Sequence, residues 1–176
     1  MIIPNLLLIA GTGTKSGKTT ITCRIIEQMK HPELVAIKIT PHFHETTPGL
    51  ALIHEEEGFK IYKEANPGTN KDTSRMLKAG ASKVYFAKVT DGFLHEAFNE
   101  IMKGIPASAP VICESPALRY FVSPGLFIIM SSKAINKQKD INELLQLPHV
   151  AYKIEELEGM QVIPLGFING KWINEG

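Results

Sequence analysis

The chain has 176 residues, of which 44% are apolar, and a formal net charge of +1. This length and composition predict one globular domain with a sizeable core. The near-neutral charge gives no general attraction to nucleic acid or to an anionic membrane, so neither is an expected partner. The N-terminal apolar run is too short to span a membrane and lacks a basic region and a cleavage site, so we expect a cytoplasmic protein.

Apolar runs alternate with helical patterns along the chain. Strands are predicted at residues 5–10, 33–39, 82–89, 110–114, 125–130 and 160–167. Helices are predicted at residues 17–30, about 71–79, 92–103 and 138–145. This alternation predicts an α/β domain, in which a mostly parallel sheet lies between helices in three layers. Cys23 falls in a helix and Cys113 in a strand, and both are expected to be reduced and buried.

Two hairpins interrupt the alternation. "LALIHEEEGFKIYKEA" reads as two strands around a glutamate-rich turn, which predicts a β-hairpin of about residues 51–64 inserted after the second core strand. "GFINGKWI" reads as a second hairpin, because Asn169-Gly170 supplies the positive φ angles of a tight turn.

A glycine-rich loop joins the first strand to the first helix. Its Gly17-Lys18-Thr19 core is typical of a phosphate-binding loop, in which the lysine reaches the β- and γ-phosphates and the threonine hydroxyl binds Mg²⁺. The usual spacing places a glycine at the position of Thr12, so this loop is a variant. The residues expected to contact the nucleotide are Gly11, Thr12, Gly13, Thr14, Lys15, Ser16, Gly17, Lys18, Thr19 and Thr20.

Several segments resemble known families. "GTGTKSGKT" is similar to the phosphate loop of dethiobiotin synthetase, with Gly13 where that family has aspartate. "VAIKITPHFH", "NKDTSRMLKAGASKVYFA" and "PVICESPA" resemble segments of MobB, the nucleotide-binding adaptor of molybdopterin-guanine dinucleotide biosynthesis, and together cover roughly the first 130 residues. The sequence departs from MobB where Ile39, Thr40 and Pro41 interrupt the histidine-rich turn and where Ser115 follows the glutamate.

The resemblance to MobB implies a three-layer P-loop NTPase fold that binds GTP or ATP with Mg²⁺. It also implies a partner enzyme in molybdenum cofactor biosynthesis. Two other functions stay open. One is an ATP-dependent ligase or kinase of the dethiobiotin synthetase type. The other is a metal-delivery GTPase, for which His42 and His44 would be ligands with His54 as a third candidate. Because two ligands without a convergent third rarely hold a metal, we expect the pair to belong to an ordinary surface turn and to bind no structural metal.

Two charged residues end predicted strands. Glu114 is expected at the carboxyl edge of the sheet, where it holds Mg²⁺ through water or, alternatively, caps a short helix near Ala117. Lys38 ends the second strand at the same edge and either reaches a γ-phosphate or an anionic substrate, or is simply solvated.

The remaining candidates are charged residues further along the chain. Asp72 and Arg75 either pair with each other on one helix or, as the resemblance to MobB implies, contribute to the ligand cleft. Residues 136–140, "NKQKD", resemble the guanine-reading motif of GTPases with the spacing off by one; a basic helix start is the alternative.

Hydrolysis is expected to be slow, because the chain has only three arginines. Arg24 is expected to point to solvent and Arg75 to pair with Asp72. Arg119 is left as the arginine that reaches a phosphate, in its own site or across a homodimer interface.

Overall fold

The computed structural model describes residues 1–41, 48–133 and 140–176. The strands in chain order are β1 (Ile2–Gly11), β2 (Val35–Thr40), β3 (Leu50–Glu56), β4 (Phe59–Glu64), β5 (Lys83–Val89), β6 (Val111–Glu114), β7 (Ser123–Ser131), β8 (Val150–Lys153), β9 (Leu165–Ile168) and β10 (Lys171–Asn174). The α-helices are α1 (Lys18–Met29), α2 (Asp72–Ala79), α3 (Leu94–Met102), α4 (Asn142–Leu145) and α5 (Ile154–Leu157), and a 3₁₀ helix covers Pro116–Tyr120.

Eight strands form one sheet in the order β3-β4-β5-β2-β6-β1-β7-β8. The six strands from β5 to β8 in this order are parallel, and β4 and β3 are antiparallel at one edge. β1 lies near the middle, and Leu6–Ala10 are fully buried, as expected of a parallel strand covered on both faces. The predicted α/β class with a mostly parallel sheet is therefore confirmed.

Helices cover both faces of the sheet. One core layer joins the sheet to α1 and α2, through residues such as Ile21, Ile25 and Met76. The other joins it to α3 and α4, through residues such as Phe98 and Leu144. The domain thus has three layers, as in P-loop folds. In the described part of the chain, no helix is long and apolar enough to cross a membrane.

Both predicted hairpins form. β3 and β4 are antiparallel around Gly58 (φ 86°), and β4 pairs with β5, so the inserted hairpin extends the sheet at its edge. Asn169 and Gly170 both have positive φ between β9 and β10. Cys23 and Cys113 are free thiols, as predicted; Cys113 is also buried as expected, whereas Cys23 is only partly buried.

Two predicted elements near the C-terminus are wrong in extent. The run at 160–167 does not add a strand to the main sheet, since only Leu165–Phe167 are extended and they belong to the separate β9–β10 hairpin. The eighth strand of the sheet is β8, which the sequence did not predict. Its four residues are too few for an alternation of exposed and buried positions to be recognised in the sequence. Of the helix predicted at 138–145, only Asn142–Leu145 is helical, and residues 138 and 139 lie outside the described residues.

Candidate functional site

The glycine-rich loop folds back over the end of β1. A Cβ added to Gly11 would lie 2.0 Å from Ser16 Oγ and 2.9 Å from Lys18 Cγ, so the stem of Lys18 crosses directly over this glycine. Gly17 has a φ of 94°, and a Cβ there would lie 2.6 Å from Ile154 Cδ1. Only glycine fits at either position, so the two glycines set the curl of the loop.

The loop ends at the first turn of α1. Gly17 is the residue before the helix and gives no side-chain hydrogen bond to that turn. The first N–H groups of a helix have no partner within the helix, and together with the helix dipole they favour an anion. The turn therefore provides backbone donors beside Lys18.

Two hydroxyl groups inside the loop are buried without a hydrogen-bond partner among the described residues: Thr12 Oγ1 and Ser16 Oγ. The backbone N–H of Thr12 donates to the carbonyl of Met130 (2.9 Å), which fixes the loop to β7. A buried hydroxyl without a partner is destabilising. The loop thus has hydrogen-bonding groups positioned for an oxygen-rich ligand.

Glu114 reaches the start of α1 from the neighbouring strand. It is 4% exposed, and its carboxylate accepts hydrogen bonds from Thr19 Oγ1 (3.2 Å) and Thr22 Oγ1 (2.9 Å). The helix-capping alternative is not realised, because no side chain caps the 3₁₀ helix that follows. Burial raises the pKa of Glu114, and Asp72 adds to this effect, whereas Lys38, the Thr22 hydrogen bond and Lys18 act against it.

Lys38 and Asp72 form an ion pair beside Glu114. The β2–β6 register places Lys38 directly opposite Glu114, and α2 begins at Asp72. Arg75 Nη1 lies 4.0 Å from the other oxygen of Asp72, so the predicted pair on α2 is present at the limit of contact. Asp72 therefore links the start of α2 to Lys38 in the sheet. The sequence predicted the pair of Asp72 with Arg75 but not this contact.

Cys23 lies one turn of α1 beyond Thr19. Burial is the main cause that raises the pKa of its thiol to about 11, although Arg75 acts in the opposite direction. The thiol is therefore protonated at neutral pH and does not supply a thiolate nucleophile.

The prediction for Arg24 is wrong, and the prediction for Arg119 is wrong for its own chain, whereas its role across a homodimer interface stays a prediction. Arg24 is not directed to solvent, because its guanidinium donates to the carbonyls of Leu157 and Met160. Arg119 does not approach the glycine-rich loop of its own chain: it donates to the carbonyl of Val122 (3.0 Å) and lies over the ring of Phe127. Residues 115–122 connect the carboxyl end of β6 to the amino end of β7. Arg119 therefore lies toward the amino ends of the parallel strands, away from the glycine-rich loop at their carboxyl ends.

His42, His44 and residues 136–139 lie outside the described residues. His54, the suggested third ligand, is on the inserted hairpin, where its Nε2 lies 2.7 Å from Glu56 Oε1 and its ring stacks on Phe59. These contacts account for His54 as part of the hairpin surface.

The C-terminal part of the chain supports the site, which the sequence did not reveal. Ile154 packs on Gly17, and the carboxylate of Glu155 accepts hydrogen bonds from the N–H of Lys133 (2.8 Å) and the hydroxyl of Ser132 (3.2 Å). Gln28 on α1 exchanges two hydrogen bonds with the backbone of Ile163. Nothing in the sequence next to these residues indicates that they contact residues so distant in the chain.

The donors next to Lys18 suit a magnesium ion. Thr19 and Glu114 provide a hydroxyl and a carboxylate oxygen 3.2 Å apart, and hard oxygen donors are what Mg²⁺ prefers. The unpartnered hydroxyls of Thr12 and Ser16 nearby fit the phosphate oxygens that such an ion usually accompanies.

Every element of the loop expected from the sequence therefore lies at the carboxyl end of β1, together with Glu114, Lys38, Asp72 and Arg75. Comparisons with protein-family models, with characterised proteins and with solved structures found no match to this chain.

Proposed function

We propose that the protein binds a purine nucleoside triphosphate, with Mg²⁺, at the carboxyl end of β1. The observation that carries this proposal is the curled loop over Gly11, which brings Lys18 beside two buried hydroxyls that lack partners in the described part of the chain. A triphosphate would supply oxygen acceptors to those hydroxyls, to Lys18 and to the first turn of α1.

Each residue then has a definite role. Lys18 neutralises phosphate charge, and Thr19 and Glu114 would hold Mg²⁺, which supplies further neutralisation of the phosphates when bound. Lys38 lies at the same end of the sheet, where its ion pair with Asp72 holds it in place. The site would therefore offer the ammonium group of Lys18 to the phosphates and the carboxylate of Glu114 to the metal.

Slow hydrolysis follows from the same arrangement. Fast phosphoryl transfer needs positive charge on the transferred group, and an arginine finger alone is worth about a thousandfold or more. Arg24 and Arg119 are held elsewhere by backbone carbonyls, and Arg75 lies next to Asp72. We therefore expect the protein to hold a nucleotide rather than to turn it over rapidly.

The resemblance to MobB supports GTP as the preferred nucleotide and molybdenum cofactor biosynthesis as the pathway. In that role the protein would present the nucleotide to a partner enzyme that builds the dinucleotide form of the cofactor. This part of the proposal depends on the resemblance of the first 130 residues alone.

A binding titration tests the proposal. GTP and ATP are titrated by calorimetry against the wild type, Lys18→Ala and Lys15→Ala, each with and without Mg²⁺. Lys15 is the matched control because its side chain is exposed, so that its expected contact with the nucleotide is through the backbone N–H, which alanine keeps. We expect Lys18→Ala to lose binding by at least a hundredfold, because it removes a charged partner of the phosphates, and Lys15→Ala to lose tenfold at most. Equal affinity of wild type and a folded Lys18→Ala protein would refute the phosphate-loop assignment.

A further inference from the structure

The carboxyl ends of β7 and β8 border the glycine-rich loop. Gly11, at the end of β1, pairs with Met130 of β7, and β8 pairs with the other edge of β7. Ile154, the residue that follows β8, packs on Gly17 of the loop. In the sheet, β7 and β8 lie on one side of β1 and β6 lies on the other. The residues that follow β7 and β8 therefore flank the loop on the side away from β6.

One carboxylate joins the ends of these two strands. Glu155 Oε1 accepts hydrogen bonds from the N–H of Lys133 (2.8 Å) and from the hydroxyl of Ser132 (3.2 Å), so the carboxylate lies at the carboxyl end of β7. The hydrogen bond from Lys133 is the main cause that lowers the pKa of Glu155, so the group is ionised at neutral pH. Because both donors bind the same oxygen and the side chain is exposed, Oε2 can accept hydrogen bonds from a ligand.

A nucleotide in the proposed site would extend toward this carboxylate. Thr19 and Glu114, which would hold Mg²⁺, place the β- and γ-phosphates at the start of α1 on the β6 side of β1. The same side also holds the ion pair of Lys38 with Asp72. The nucleoside would therefore leave the α-phosphate on the other side, over the carboxyl ends of β7 and β8. Ligands of open α/β sheets lie outside the carboxyl ends of the strands in this way.

We propose that Glu155 binds the base of the nucleotide and selects guanine, an inference that rests on the proposed function. Guanine carries two adjacent donors, N1–H and the 2-amino group, and an ionised carboxylate carries only acceptors. The two groups can therefore form charge-assisted hydrogen bonds. Adenine has an acceptor at N1, which a carboxylate repels, so the same side chain disfavours ATP. Glu155 is thus a specificity-determining residue that contacts the base and not the phosphates.

Titrations with different bases test this inference. GTP, ITP and ATP are titrated by calorimetry against the wild type in Mg²⁺; ITP keeps the N1–H of guanine and lacks its 2-amino group. We expect GTP to bind at least tenfold more tightly than ATP, with ITP between them, because each missing donor leaves the carboxylate with one partner fewer. Equal affinities for GTP and ATP would overturn the proposal.

Glu155→Gln tests the residue itself. Glutamine keeps one acceptor but places an amide donor against the 2-amino group, so GTP affinity should fall at least tenfold while ATP affinity changes twofold at most. Xanthosine triphosphate, which has an oxygen in place of the 2-amino group, should bind this variant at least tenfold more tightly than it binds the wild type. Glu158→Gln, which removes the exposed carboxylate that follows α5, is the control and should change none of these affinities. Equal weakening of GTP and ATP, or no gain for xanthosine triphosphate, would show a structural role and contradict the proposal.

Inorganic triphosphate separates failure of this inference from failure of the proposed function. It has no base, so the wild type and Glu155→Gln should bind it equally in Mg²⁺, whereas Lys18→Ala should lose it. Binding of inorganic triphosphate without preference among the bases would overturn the role of Glu155 alone. No binding of inorganic triphosphate or of any nucleotide would overturn both.

Discussion

The two ends of β1 treat their buried polar groups differently. At the amino end, Asn5 donates to the carbonyl of Ala109 (2.8 Å), and the indole N–H of Trp172 lies 2.9 Å from the carbonyl of Asn5 and 3.2 Å from that of Val111. At the carboxyl end, the hydroxyls of Thr12 and Ser16 have no partner among the described residues. One strand therefore ends in a completed hydrogen-bond network on one side and in open hydrogen-bonding groups on the other.

The polar groups at the two ends of β1 therefore contribute differently to the stability of the protein. A satisfied buried network stabilises the fold and specifies one packing. Polar groups without hydrogen-bond partners in a glycine-rich loop lower the stability of the ligand-free protein, and a ligand that pairs with them raises it. In the proposed function, the carboxyl end, which also holds the buried Glu114, is therefore the end at which a lower stability is offset when a ligand binds.

Replacing Gly11 should break the open end most severely. In Gly11→Ala the new methyl group would meet Ser16 Oγ at 2.0 Å and the stem of Lys18, so both side chains must move from the loop. We expect triphosphate affinity to fall at least a hundredfold and the free energy of unfolding to fall by about 1–3 kcal/mol. Calorimetric titration and urea unfolding measure the two effects. Gly104→Ala is the control, because the nearest atom to its added Cβ is 4.0 Å away; similar losses in both variants would contradict the role of Gly11.

Removing the indole N–H of Trp172 should weaken the hydrogen-bond network at the amino end of β1 without changing the site at the carboxyl end. Trp172→Phe keeps an aromatic ring against the core but leaves the carbonyls of Asn5 and Val111 without this donor. We expect the free energy of unfolding to fall by about 1–3 kcal/mol, while nucleotide affinity stays within twofold of the wild type. A loss of affinity in a folded variant would show that the two ends are coupled.

Replacing Glu114 with a neutral residue tests whether the carboxyl end of β1 binds a metal ion together with the nucleotide. Glu114→Gln removes the carboxylate charge and keeps an acceptor for Thr19 and Thr22. We expect nucleotide affinity to fall about tenfold in the presence of Mg²⁺, which prefers charged oxygen ligands, and to change little in its absence. Titrations with GTP in Mg²⁺ and in a chelator measure this directly, and equal weakening in both would assign Glu114 a structural role.

The same substitution gives the smallest expected effect, on stability against pH. Burial raises the pKa of Glu114 in the folded protein, so between the ordinary pKa and the raised one the native state holds a proton that the unfolded state has lost. Stability contributed by this group therefore falls as the pH rises through that window. Glutamine has no proton to lose, so nucleotide-free Glu114→Gln should gain stability relative to the wild type from pH 4 upwards and then level off. Urea unfolding of both proteins across the pH range measures the difference; a constant difference would contradict the raised pKa.

The sequence predicted the parts of this site that depend on local chemistry. Gly17-Lys18-Thr19 between an apolar run and a helical pattern defines a loop at a strand end, and Glu114 closes a run of apolar residues. Parallel strands then bring both to one edge, so their proximity followed from the predicted fold class.

The parts that depend on the path of the chain could not be predicted in this way. Asp72 pairs with Lys38 across 34 residues, and Ile154 reaches Gly17 from the far end of the sequence. The position of Arg119 five residues after Glu114 suggested the same edge, but the connection to β7 runs down the sheet and carries the arginine away. Sequence spacing measures distance along the chain, whereas these contacts depend on where a crossover begins and ends.

The contacts of α1 with the C-terminal part also determine when the site is completed during synthesis. Arg24 and Gln28 find their carbonyl partners 133 and 135 residues later in the chain. The ribosome therefore releases the glycine-rich loop long before the residues that hold its helix in place. Because domains fold as units and distant contacts form late, a nascent chain stalled before Leu157 should display the loop yet hold nucleotide poorly. In the proposed function, nucleotide would begin to stabilise the fold only after residues 157–163 have left the ribosome, and chaperones would meet the glycine-rich loop before that point.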